Sequence, residues 1–182
     1  MHPNFDPKDI VMNLPRRDSR DKMLGRTKYT VDIGKNGVLH AVLVRAKVPS
    51  AEIKNINFEK AMLMPGVKGI ASYKDAPGLH GLGIADTPIF AKDVIRYHGE
   101  PILAIAATTI EQAQSAARMV EIELIQKDAV ITMSEALANG AKLVHSDWSN
   151  YKVLFEGAER KGNVAWEATV VRGDTDKAFA RD

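Results

Sequence analysis

Chemistry in a chain with no cysteine must come from its histidines, carboxylates, serines and lysines, and their spacing decides what they can do. The absence of cysteine removes disulfides, iron–sulfur ligation, thiolate zinc sites and cysteine nucleophiles together. The histidines are His2, His40, His80, His98 and His145, and no two of them stand at metal-ligand spacing. His40 lies inside an apolar run and reads as a core or interface histidine. His80 lies in a glycine loop and reads as exposed. His98 sits in a turn beside Glu100, where an acid/base pair is conceivable but a plain turn is the stronger reading. Glu121 and Glu123 fall on one face of a strand. Paired carboxylates can do acid/base work, yet on an alternating strand they mark the face turned to water. None of the serines stands in a G-x-S-x-G setting, so no nucleophile elbow is present. Glycines 78, 81 and 83 spell G-x-x-G-x-G, but a phosphate cradle must follow a strand and open a helix. This loop runs instead into Asp86-Thr87-Pro88 and another strand, and reads as a flexible surface or interface loop. No catalytic, cofactor-binding or metal-ligating residue is therefore assigned.

The elements that would position such residues are clearer. Residues 38–46, VLHAVLVRA, follow the turn Gly34-Lys35-Asn36-Gly37 and read as a buried strand, which residues 53–56 extend. Asn57 stands at the cap of a short helix that Pro65-Gly66 ends. Residues 67–73 form the next strand, 76–91 a long loop and 94–97 a short strand. His98-Gly99-Glu100-Pro101 turns into the apolar strand 102–107, expected to be buried on both faces. Thr108 and Thr109 with Glu111 and Gln112 make a capping box for a helix whose apolar face is Ile110, Ala113, Ala117 and Val120. Its two alanines imply close approach to a sheet. Residues 120–125 alternate, a strand with one wet face. Strand, helix and strand within about thirty residues suggest a crossover unit of α/β type. A short helix at 134–139 closes at Gly140. Residues 146–162 read as loop, 164–171 as a last strand, and Gly173-Asp174 opens a final helix that runs into the end of the chain.

The bulk properties bound the rest. A chain of 182 residues can bury a sizeable core without cross-links. With 25 basic and 23 acidic side chains there is no concentrated positive field, which argues against a nucleic-acid footprint. The basic lead-in Arg16, Arg17, Lys22, Arg26 and Lys28 has no interleaved aromatics. No run approaches the roughly 18 apolar residues of a membrane helix, and the start lacks the pattern of a signal peptide, so a cytoplasmic location is expected. Residues 1–24 read as a polar lead-in, 25–172 as one domain and 173–182 as the start of a linker or further domain.

Taken in order, several segments resemble a known family. They are Gly25-Arg26-Thr27-Lys28-Tyr29-Thr30-Val31-Asp32-Ile33, Leu39-His40-Ala41-Val42-Leu43-Val44-Arg45, Met64-Pro65-Gly66-Val67 and, most specifically, Val94-Ile95-Arg96-Tyr97-His98-Gly99-Glu100-Pro101. Behind them stand the capped helix, Val120-Glu121-Ile122-Glu123, Ser134-Glu135-Ala136-Leu137, Leu143-Val144-His145 and Gly173-Asp174 with Ala178-Phe179. The ordered set resembles the N-terminal α/β hammerhead domain of the molybdopterin-binding subunit of the xanthine dehydrogenase/aldehyde oxidase family, over roughly residues 20–182. The resemblance implies a mixed sheet with packed helices, an α+β or α/β class. It implies membership of a molybdenum hydroxylase that oxidises a purine, an aldehyde or an N-heterocycle with water as oxygen source. It places molybdopterin on the following domain, with the catalytic glutamate, and 2Fe-2S and FAD on partner domains or subunits. This domain would buttress that cofactor domain, inactive alone, and self-association stays open. Where many members carry Ser-Pro-His-Ala-His, this chain reads Ala46-Lys47-Val48-Pro49-Ser50, so the resemblance assigns no substrate. The competing class is a stand-alone binding or assembly module of barrel-sandwich type, in which Lys35 would be the candidate carrier lysine.

Overall fold

The computed structural model describes residues 16–34, 37–154, 161–167, 169–170 and 172–180. Lys35, His2 and most of the lead-in lie outside these. The chain divides into two units, Met1–Val38 and Leu39–Asp182. In the first, α1 (Ser19–Met23) is held locally, with Asp18 paired to Lys22 at 2.8 Å and to Arg16 at 2.9 Å. A 3-10 turn, Thr30–Asp32, follows, closed by the Tyr29 N–H donating to the Asp32 carboxylate.

Among the described residues, the second unit carries two three-stranded sheets and two two-stranded ribbons. The main strands are β1 (His40–Arg45), β2 (Ala51–Asn57) and β3 (Val67–Ser72), with helix α2 (Glu59–Met62) between the last two. The glycine loop contains β4 (Leu79–His80), β5 (Ile84–Ala85) and β6 (Thr87–Pro88), and then come β7 (Val94–Ile95), β8 (Pro101–Ala107), helix α3 (Ile110–Ala117) and β9 (Glu121–Gln126). Helix α4 (Met133–Leu137), β10 (Lys152–Val153) and α5 (Thr175–Phe179) complete the order. The first sheet runs β1-β8-β3 and the second β7-β2-β9, and every strand pairing among the described residues is antiparallel.

This corrects the expected crossover. Strand, helix and strand are present over 101–126, but β8 and β9 belong to different sheets. Both edges of β8 are taken, by β1 and by β3, so the chain leaving α3 has no vacant place beside β8. It pairs instead with β2, from Asn57↔Glu121 to Ala51↔Gln126. Residues 53–56 therefore nucleate a second sheet rather than extend the first.

The interior follows the alternation of β8. Leu103 and Ile105 face a core with Ala61 and Ala116, while Ile102 faces one with Ala46, Ala51, Ala91 and Ile95; half-buried Ile56 touches both. Ala104 and Ala106 are only half-buried. Helix α3 buries Ala113 and Ala116, not Ile110, whose side chain is exposed. The close approach that the alanines predicted is real, but the helix is rotated toward Ala116. Its capping box forms as expected: Thr109 Oγ1 accepts from the Gln112 N–H, and the Gln112 amide oxygen accepts from the Thr109 N–H.

Two further expectations change. The helix placed at 134–139 starts one residue earlier, at Met133, because Thr132 is its cap and Glu135 the reciprocal partner. Residues 164–171 do not form a strand among the described residues. Val164 makes one bridge, to Lys161, and Val170 is exposed. An apolar β-branched run becomes a strand only where an edge accepts it.

Candidate functional site

The residues singled out for chemistry come together less than their spacing allows. His98 is exposed, while Glu100 is 2% exposed and turned away into its own loop. The Arg96 N–H donates to the Glu100 carboxylate at 2.6 Å. The same turn is riveted to the end of β1. The Gly99 N–H donates to the Ala46 carbonyl and the Ala46 N–H to the Glu100 carbonyl, both at 2.9 Å, and Arg45 Nη1 donates to the Gly99 carbonyl. Gly99 takes φ +89°, a conformation that a side chain disfavours. Burial pushes the Glu100 carboxyl above the usual carboxylate range, opposed by the Arg96 and Tyr97 N–H groups and the Arg96 charge. Glu100 is thus a clasp for the turn rather than half of an acid/base pair.

The other candidates are also placed. His40 opens β1 and is exposed, so it is not a core histidine; the run around it is buried at Ala46 and half-buried at Val42 and Val44. His80 is exposed, as expected. Glu121 and Glu123 lie on the exposed face of β9, and Glu121 pairs with Lys60. Within the glycine loop, a Cβ on Gly81 would fall inside the Ile84 carbonyl oxygen, where the loop turns back on its own backbone, whereas one on Gly78 would meet open space.

Sequence reasoning missed one constellation, because Arg96 is far along the chain from His145, Trp148 and Tyr151. His145 Nδ1 lies 2.9 Å from the Tyr151 hydroxyl, and Trp148 packs edge-on against the Tyr151 ring. Arg96 reaches the same phenol, and its Nε is buried with no hydrogen-bond partner among the described residues. Burial lifts the Tyr151 pKa above its ordinary value. Asp147 and Asp86 reinforce the rise and Arg96 opposes it. Two cavities flank the cluster. One of about 260 Å³ is lined by Arg96, Tyr151, Asp86 and Asp147, and one of about 280 Å³ by His145, Trp148 and Asn163. Asn163 ties the neighbouring segment down, donating to the Ala136 and Lys142 carbonyls and accepting from the Val144 N–H. A cation, a phenol and an imidazole in this order can cross-link loops. The imidazole and phenol are in hydrogen-bond contact, an arrangement that orders the loop they share.

Against this architecture the likeness to known proteins is decisive. A family model described as "Aldehyde oxidase and xanthine dehydrogenase, a/b hammerhead domain" matches residues 24–128. The chain belongs to this family. The match ends just beyond β9, so it takes in both three-stranded sheets and α3. A probable xanthine dehydrogenase subunit from Bacillus subtilis is 31% identical over 175 residues, covering 93% of this chain and 22% of that protein. The nicotinate dehydrogenase large molybdopterin subunit of Eubacterium barkeri is 30% identical over 143 residues, covering 78% of this chain and 34% of the subunit. Among solved structures, the aldehyde oxidoreductase from Desulfovibrio gigas superposes with a TM-score of 0.67 at 29% identity, over 73% of this chain and 16% of that one. The chain thus spans between a fifth and a third of the length of these curated relatives.

Within the hammerhead family the turn 94–101 gains a physical meaning: it is the clasp joining β7 to β8 across the end of β1. Among the described residues no group of three or more histidine and carboxylate side chains is placed to hold a metal ion. Among the described residues no helix is long and apolar enough to cross a membrane.

Proposed function

We propose that this chain is the hammerhead portion of a molybdenum-cofactor-dependent hydroxylase, and that it scaffolds the enzyme rather than performing the chemistry. The family match over residues 24–128 carries this reading. The clasped Glu100 and the Lys60-paired Glu121 support it, since each carboxylate has a structural partner. In this reading residues 25–172 are the hammerhead domain, 1–24 a lead-in and 173–182 the approach to a further segment. The oxidised substrate is a purine, an aldehyde or an N-heterocycle, with the oxygen taken from water. Molybdopterin sits on a cofactor domain of the same enzyme, 2Fe-2S and FAD sit on its partners, and the whole is cytoplasmic. Exposed Ile131, Met133, Leu137 and Phe179 give such a domain apolar surface to lay against its neighbours.

The test is purification of the native protein from its own cells through an affinity tag, followed by molybdenum and pterin analysis. Oxidation of the three substrate classes is then assayed in labelled water. The expected result is stoichiometric molybdenum and pterin, with label in the product. A native preparation without molybdenum or pterin would refute the assignment.

A further inference from the structure

Sheet β1-β8-β3 and sheet β7-β2-β9 each end in two strands with one side unpaired among the described residues, among them β1 in the first and β9 in the second. Between them runs a groove of about 490 Å³. Ile102, 1% exposed, forms its floor, and Leu43, Ile122 and Leu124 line its walls. The alternation of β9 sends Ile122 and Leu124 to this side and Glu121 and Glu123 to the other, so the strand's carboxylates do not enter the groove. The charged groups that line it are all cations: Arg45 and Lys47 at the end of β1, and Arg118 just past α3. Arg45 spends one nitrogen on the Gly99 carbonyl and Arg118 one on Ser115, both neutral acceptors. The three cations therefore have no carboxylate partner among the groove's lining.

We infer that this groove is the seat of an extended polypeptide segment from elsewhere in the enzyme, apolar along one side and carrying Asp or Glu opposite Arg45, Lys47 and Arg118. This rests on the hydroxylase reading above. Three features select the occupant. Unpaired strand edges accept an added strand through its backbone. The apolar walls suit alternate side chains of such a strand. The cationic rim favours an acidic segment and discriminates against a basic one, since like charges across an interface are repelled. A second copy of this chain fits less well, because its matching groove presents the same three cations.

The test uses the native enzyme and carbodiimide, which joins a lysine amine to a carboxylate in direct contact. The expected product is an amide between Lys47 and an Asp or Glu outside residues 1–182 of this chain. It vanishes in Lys47→Arg, which keeps the charge but cannot couple, while the enzyme stays assembled. Reversing the rim with Lys47→Glu and Arg118→Glu should weaken association of this domain on the order of tenfold, an effect that added salt diminishes. An enzyme that holds molybdenum and pterin but shows no Lys47 cross-link would overturn the groove assignment alone. So would a Lys47 cross-link to a second copy of this chain. Absence of molybdenum and pterin refutes the underlying reading instead, so the two failures are told apart.

Discussion

The junction between the α2 turn and α3 permits a quantitative test of how this domain is held. Gly66 has φ +84°, its carbonyl accepts the Thr108 N–H at 2.9 Å, and a Cβ placed on it would lie inside the Gln112 side-chain amide. That amide is the capping-box partner of α3, accepting from the Thr109 N–H and the Thr108 hydroxyl. Gly66→Ala therefore incurs two costs. A left-handed backbone with a Cβ costs about 1–2 kcal/mol, and displacing the Gln112 cap costs about 1 kcal/mol more. The sum is about 2–3 kcal/mol. Gln112→Ala alone should cost about 1 kcal/mol. In the double variant the cap is already gone, so Gln112→Ala should add almost nothing, a coupling of about 1 kcal/mol that makes the pair sub-additive. Gly66→Asn separates the two costs, because Asn tolerates the left-handed backbone but still carries the Cβ. Urea unfolding of the four variants, with the slope checked for constancy, reads these differences from the midpoints. Strict additivity would show that the Cβ does not displace Gln112, and the argument from the turn would fail.

Further outcomes follow from the same structure. Gly81→Ala drives a Cβ into the Ile84 carbonyl and should cost about 1–3 kcal/mol, seen as a lower unfolding midpoint; an unchanged midpoint would mean the loop gives way freely. Because burial raises the folded pKa of Glu100, the folded state holds its proton to higher pH than the unfolded chain does. The stabilisation that results is complete below the unfolded carboxylate value and is lost as pH rises through the folded one, so stability at this site declines over that window. Glu100→Gln, still able to accept from Arg96, should flatten the decline, whereas Glu100→Ala leaves the Arg96 N–H unsatisfied at a cost of about 1–3 kcal/mol; parallel pH profiles for wild type and Gln variant would count against a titrating Glu100. Tyr151→Phe removes the hydroxyl facing His145 and Arg96, and should lower the midpoint by the equivalent of about 1 kcal/mol and alter Trp148 fluorescence, since the rings are 6.3 Å apart.

What the sequence disclosed was governed by the range of the interactions. Capping at Thr109 and Gln112 is local, four residues wide, and was legible directly. So was the wet face of β9, since period-two alternation survives whatever the strand pairs with. The partner of β9 was not legible, because both a crossover and a sheet switch present the same strand, helix and strand. The inward turn of Glu100 was hidden too. Its burial depends on the end of β1, some fifty residues away, closing over it through Ala46 and Arg45. Arg96 meets the nearby pair His145 and Tyr151 across a comparable stretch of chain, and no local pattern announces that contact. The crowding at Gly81 was not legible either, because it is set by one carbonyl, that of Ile84, occupying the space a side chain would need.

The sheet switch also bears on function. A crossover would have set β9 beside the first sheet and buried Ile122 and Leu124 in one continuous interior. Since β1 and β3 already flank β8, the chain leaving α3 must found its pairing elsewhere, on β2. Two small sheets result where one larger sheet would have formed, and each ends in an edge. Edges with apolar walls are a hazard for an isolated domain unless something covers them, and charged groups along the edge are one protection. Arg45, Lys47 and Arg118 stand at that place. The same three side chains that would keep a lone domain from pairing with itself fit an acidic segment of a larger enzyme.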